Sequence, residues 1–148
     1  MKRSLTAVLV LSCLLPLAAE KIEMSPEKLR ETATHVVVGK VIAVYSRKVE
    51  EGNWRTTHYV AEVSVNDVEK GEGLAKGGLV YARYWTREWI GKGAMPPGTS
   101  GHRGCPSEGK TLRIYLARNA YDGFSDENKD GGFNVIGANG FEAIVEKK

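Results

Sequence analysis

Cysteine is almost absent from this chain: Cys13 and Cys105 are the two it has. Cys13 lies in an apolar N-terminal run, so the rest of the chain holds one thiol and no disulfide can staple it internally. A hydrophobic core must then hold the fold unaided. Histidine is equally scarce. His35, His58 and His102 are scattered over two expected strands and one loop, which does not assemble the paired ligand spacing of a zinc site. No glycine-rich segment sits between a strand and a helix, as a phosphate loop requires. Excess charge is missing too. The net formal charge is +3, and two of the basic residues, Lys2 and Arg3, belong to the N-terminal run. The near-neutral remainder excludes the basic face expected of a nucleic-acid binder, although Tyr81, Tyr84 and Trp85 are strand aromatics of a type that can stack bases.

What is present begins with an export signal. Lys2 and Arg3 form a positive start, residues 5–17 an apolar stretch too short to span a bilayer, and Ala18-Ala19 a small-residue cleavage site after Pro16. Residues 1–19 are therefore expected to be a signal peptide, and residues 20–148 one secreted or periplasmic domain with no membrane span after cleavage. A second reading of the same segment is a lipobox at Val10-Leu11-Ser12-Cys13, with lipidation of Cys13.

Beyond a polar lead, Ser25-Pro26-Glu27 marks a helix start. Serine caps, proline suits the first turn, and glutamate meets the positive end of the dipole. The helix is expected over residues 26–32, with Leu29 facing inward. The pattern then turns to strands. Residues 35–45 are valine-rich, with Gly39 marking a bulge or bend. Residues 54–68 alternate, Tyr59, Ala61, Val63 and Val65 on one face and His58, Glu62, Ser64 and Asn66 on the other. Residues 79–85 and 111–118 give two more strands, the latter with Leu112, Ile114 and Leu116 inward. Residues 133–136 and 141–145 are expected to close as a hairpin across Gly137-Ala138-Asn139-Gly140, since Asn-Gly is favoured turn chemistry. The fold class is mainly β: a small antiparallel β-barrel of five or six strands with one short N-terminal helix, because such strands must close or stack to hide their edges.

The run Ala33-Thr34-His35-Val36-Val37-Val38-Gly39-Lys40-Val41, the strand Tyr59-Val60-Ala61-Glu62-Val63 and the corner Val68-Glu69-Lys70-Gly71 resemble the N-terminal half of netrin-like domains. These are the OB-fold barrels of tissue inhibitors of metalloproteinases and of small exported bacterial proteins. The likeness covers residues 26–85 and implies an OB-like barrel. It does not carry protease inhibition, because the inhibitors use an N-terminal cysteine on the protease zinc and the expected first mature residue here is Glu20.

Residues 86–110 hold five glycines before Gly109 and three prolines, and read as one long loop. Long loops in small domains are where function concentrates. Trp85, Arg87, Trp89, His102 and Arg103 are the candidate contacts, being aromatic and guanidinium types that dominate binding surfaces. The expected function is a binding or interaction module without catalysis, its partner an unknown extracytoplasmic protein or small ligand. The alternative use of these residues is structural, the tryptophans capping a barrel end and the arginines pairing with Glu88 or Glu108. Asp126, Asn128 and Asp130, with Gly131, follow the D-x-N-x-D-G start of a calcium loop, but Gly137 stands where the bidentate glutamate belongs. Calcium is thus a possible cofactor, and a polar turn the competing reading. Gly101-His102-Arg103-Gly104-Cys105 is distantly similar to the Ser-His-Gly-Cys-x-Arg signature of L,D-transpeptidases. That likeness makes Cys105 a nucleophile and His102 its base, yet Pro106 departs from the pattern and the upstream His-Gly is missing. Intact-mass measurement of the exported protein is expected to show loss of residues 1–19; a mass retaining Met1 through Ala19 would remove the export reading.

Overall fold

A computed structural model describes residues 23–98, 100–118 and 132–144. The protein is mainly β, with one helix and six strands in one mixed sheet. Helix α1 (Pro26–Thr32) starts where expected: the Ser25 hydroxyl accepts from the Lys28 N–H at 3.2 Å, and Pro26 fills the first turn. Among the described residues, no helix is long and apolar enough to cross a membrane.

Strands β1 (His35–Glu51) and β2 (Trp54–Lys70) form one long hairpin about Gly52-Asn53. Residues 46–51, polar and beyond the strand end expected at residue 45, extend β1. Exposed Arg47, Lys48, Glu50 and Glu51 cost nothing on a strand whose flanks face water. Strand β3 (Leu79–Trp89) pairs antiparallel with β2, and β4 (Thr111–Arg118) pairs antiparallel with the first part of β1, His35 to Lys40. Register shifts flank Gly39, where an added Cβ would lie 2.7 Å from the Ser64 carbonyl oxygen. These bulges bend β1 far enough to meet both neighbours.

Strand β5 (Phe133–Val135) closes the sheet into a ring, β1-β2-β3-β5-β4 and back to β1. It runs antiparallel to β4 but parallel to β3. This corrects the all-antiparallel expectation, and the reason is topological: a closed ring of five strands cannot alternate direction all the way round. The expected terminal hairpin is also absent. Strand β6 (Phe141–Ala143) does not pair with β5; both lie in succession along the same edge of β4. Between them Ile136 N–H donates to the Tyr115 carbonyl and Tyr115 N–H to the Gly140 carbonyl, so residues 137–139 bulge outward. Asn139 does not build a hairpin turn; its amide holds Met24, accepting from the Met24 N–H at 3.0 Å and donating to its carbonyl at 2.8 Å.

The core fills the ring with Val37, Val41, Ala61, Val63, Val65, Val80, Ala82, Tyr84, Ile114, Leu116, Val135 and Phe141. On the outside, Val36 and Tyr115 are register partners that pack with Leu29, Ala33 and Ile136 under α1. An ionic lattice closes this side. Arg113 grips both Glu69 oxygens at 3.0 and 3.1 Å and reaches Glu142 at 2.9 Å, while Arg30 of α1 joins Glu69 and Tyr115 donates to Glu142. The Arg113 guanidinium holds the Glu69 carboxyl below its ordinary 4.5. A carboxyl depressed on folding contributes stability that is complete above the unfolded value and is lost as pH falls through the folded one. Glu69→Gln is expected to cost about 1–2 kcal/mol at neutral pH. In urea titrations the gap from the parent should shrink below pH ~4, and a pH-independent gap would remove the ionic account.

Candidate functional site

Beyond Lys40, β1 leaves β4 and continues with β2 and β3 as a three-stranded arm. Strand alternation gives the arm two faces. One continues the core face. There Tyr59 stacks on Tyr84, with ring centroids 4.8 Å apart and planes 7° from parallel. The next row is Lys48, Thr57 and Thr86, in register across the three strands, and the last is Glu50, Arg55 and Glu88. Arg55 bridges its row, at 2.8 Å to Glu50 and 2.9 Å to Glu88. Glu88 therefore pairs with Arg55, not with Arg87 or Arg103.

The opposite face carries all three tryptophans. Trp54 meets Trp89 edge-on at 5.2 Å, and the Arg87 guanidinium lies 4.6 Å from the Trp54 ring centre. Trp85 lies one turn of the pleat further in, in register with His58. The glycines of the following segment pack on these rings: Gly91 against Trp89, Gly98 against Trp54 and Gly101 against Trp85. At Gly101, with φ +84°, a Cβ would stand 2.5 Å from the Trp85 carbonyl oxygen, so only glycine fits. The Nε of Arg87 and the indole nitrogen of Trp89 are shielded from solvent without a hydrogen-bond partner among the described residues.

The expected loop over residues 86–110 is corrected at its start and middle. Residues 86–89 belong to β3, because Thr86 and Arg87 find backbone partners on both sides. The chain then returns beside β3: Arg87 N–H donates to the Ser100 carbonyl and His102 N–H to the Trp85 carbonyl, each at 2.9 Å. Between this return and the arm's core-side face lies a cleft of about 400 Å³, lined by Lys48, Thr57, Tyr59, Thr86, Arg87, Glu88, Ser100 and His102. Four hydroxyls and one ammonium therefore surround it. This is a hydrogen-bonding site whose lining is more polar than apolar.

His102 is 3% exposed and ties the return to the ring. Its Nε2 lies 2.9 Å from the Val135 carbonyl. Its Nδ1 lies 3.0 Å from the Trp85 carbonyl and 3.2 Å from the Trp85 N–H. The ring edges against Tyr84 and Phe141, filling the gap where β3 and β5 separate. Both nitrogens are thus occupied by backbone. Arg103 points elsewhere, to an exposed ion pair with Glu23 at 3.2 Å.

Of the five expected contacts, then, His102 and Arg87 line the cleft, although the Arg87 guanidinium lies over Trp54 on the arm's other face, where Trp85 and Trp89 also lie, and Arg103 stands apart. Lys48, Thr57, Tyr59, Thr86, Ser100 and Trp54 join the site without being among the expected contacts. The period-two row Thr57-Tyr59 was a visible signal; its pairing with Lys48 and Thr86 was not. Asp126, Asn128 and Asp130 lie outside the described residues, as does the N-terminal run. No family model, curated protein or solved structure matches this chain.

Cys105 reaches solvent, and its Sγ donates to the His102 carbonyl at 3.7 Å, not to the imidazole. Desolvation by the surrounding chain pushes its thiol above the ordinary value. A raised thiol holds less thiolate at neutral pH. Cys105 is expected to react with a disulfide reagent at pH 7 no faster than a free model thiol. A markedly faster reaction would revive it as a nucleophile.

Proposed function

We propose that this is an extracytoplasmic binding module, without chemistry of its own, that takes a small polar ligand bearing an anionic group in the cleft of the arm. The hydroxyl-lined cleft carries this reading. Thr57, Tyr59, Thr86 and Ser100 offer donors and acceptors at fixed positions, and Lys48 offers a positive charge. Glu88, the acidic residue lining the cleft, shares the Arg55 guanidinium with Glu50. An acidic or phosphorylated sugar, or a hydroxy acid, has the matching chemistry.

The scaffold is read as an OB-like barrel: a five-strand ring bent at Gly39, with a helix packed outside it. Export follows from residues 1–19, which have the composition of a signal peptide. The return segment serves the site indirectly. Its glycines sit on the tryptophans, and that packing places Ser100 and His102 as the cleft's far wall.

Thermal melts with glucuronate, glucose 6-phosphate, citrate or inorganic phosphate test the ligand class. A probe held at about a hundred times its dissociation constant should add roughly 2.7 kcal/mol, several degrees for a domain of this size. Lys48→Ala and Thr57→Val are each expected to abolish that rise. A rise that survives both substitutions, or no rise with any probe, would remove the cleft reading. A rise with calcium alone would favour Asp126, Asn128 and Asp130 as a metal loop.

A further inference from the structure

The arm leaves one strand edge open. Strand β1 is paired on both sides only as far as Val41, whose N–H donates to the Lys110 carbonyl and whose own carbonyl accepts from Gly109, both at 2.8 Å. From residue 42 to residue 51 it pairs with β2 alone, and residues 45–51 are all exposed. Among the described residues, no strand or loop covers that second edge. An edge of this length is a template for another strand unless its side chains forbid pairing.

Here the side chains select a partner. The edge reads Arg47-Lys48-Val49-Glu50-Glu51, two cations and two anions about a valine that is 41% exposed. Reversed, this pattern is its own charge complement. Neither Arg47 nor Lys48 makes an ion pair among the described residues, while Arg55 holds Glu50 through Oε1 and leaves its other oxygen uncommitted.

Backbone parity narrows the register. The two-residue turn Gly52-Asn53 makes Glu51 and Trp54 a hydrogen-bonded pair. Alternate residues Arg47 and Val49 therefore point their N–H and C=O toward β2, and Ser46, Lys48 and Glu50 point theirs to the open edge. A second strand must pair through these even-numbered residues. Centred on Val49, two antiparallel copies set Lys48 opposite Glu50 and Arg47 opposite Glu51 on both sides of the two-fold axis. The neighbouring registers set Lys48 against Lys48 or Glu50 against Glu50, and like charges directly opposite repel. The charges that block other pairings thus permit this one.

We propose that the protein self-associates through the open edge of β1, two copies pairing antiparallel about Val49 into one continuous sheet across both arms. The pairing needs no ligand; Lys48 also lines the cleft, so self-association is read with no ligand probe present, and substitution of Glu50 and Glu51 tests it without altering a cleft-lining residue.

Sedimentation velocity of the purified protein, from low micromolar to several hundred micromolar, reads it directly. A dimer is expected at low ionic strength, weakened at molar salt. Arg47→Glu with Lys48→Glu, and separately Glu50→Lys with Glu51→Lys, should each weaken self-association about tenfold or more. Mixed in equal amounts, the two double variants should form a heterodimer, because every facing charge is again opposite. Thermal melts establish that each variant is folded. Among the described residues neither Arg47 nor Lys48 makes a side-chain hydrogen bond or ion pair, so that variant stands alone should loss of the Glu50–Arg55 bond unfold the other. A parent that stays monomeric throughout, a folded Arg47/Lys48 variant that dimerises like the parent, or a folded pair whose mixture stays monomeric overturns the proposal.

Discussion

Closing a ring of five strands is the constraint on which the rest depends. One contact must be parallel, and it falls between β3 and β5, where, among the described residues, only Ala82–Phe133 and Arg83–Asn134 are in register. So short a seam supplies few backbone hydrogen bonds, and parallel pairing is slightly weaker per residue than antiparallel. His102 reinforces it from the side. Its ring meets the Trp85 backbone through Nδ1 and the Val135 carbonyl through Nε2, which links β3 to β5 where the strands part. Tyr84 and Phe141 hold the imidazole in place, so the seam is part polar and part aromatic.

The same histidine couples the ring to the arm. Because His102 is anchored on Val135, the return segment must run beside β3, and its glycines come to rest on Trp54, Trp85 and Trp89. The tryptophans then act from beneath, as a floor for the return, while the other face of the same strands keeps a row of threonine, tyrosine and lysine side chains. An apolar, aromatic face and a polar, hydroxyl face on one thin sheet are a direct consequence of the period of two along each strand. The unequal strand lengths matter as much. β1 and β2 outrun β4, which creates the cleft and also bares the edge.

Much of the fold was legible because its signals are local. The bounds of α1 follow from Ser25 and Pro26; the inward faces of β2 and β4 follow from alternation; the bend at Gly39 follows from the missing Cβ. The misreadings have local causes too. The charged stretch 46–51 lies beyond the expected strand end because its composition is polar, yet a strand with water on both sides asks for nothing apolar. Asn139-Gly140 looks like a hairpin turn, but the Asn139 side chain finds Met24, far away in the chain, and that bond outweighs turn chemistry.

The sequence by itself determined the elements: a capped helix, valine-rich strands of known facing, a glycine-rich connection and a core that must hold without disulfides. Each of these depends on neighbours within a few residues, where rotamer, hydrogen-bond and periodicity rules apply. Only the tertiary structure decided which strands meet. It set β5 parallel to β3, placed β6 behind it on the same edge, sent the tryptophans and Arg103 away from the cleft, and joined Lys48 to Thr57 and Thr86. Those outcomes rest on closure of the ring and on contacts between residues distant along the chain, which no local pattern encodes.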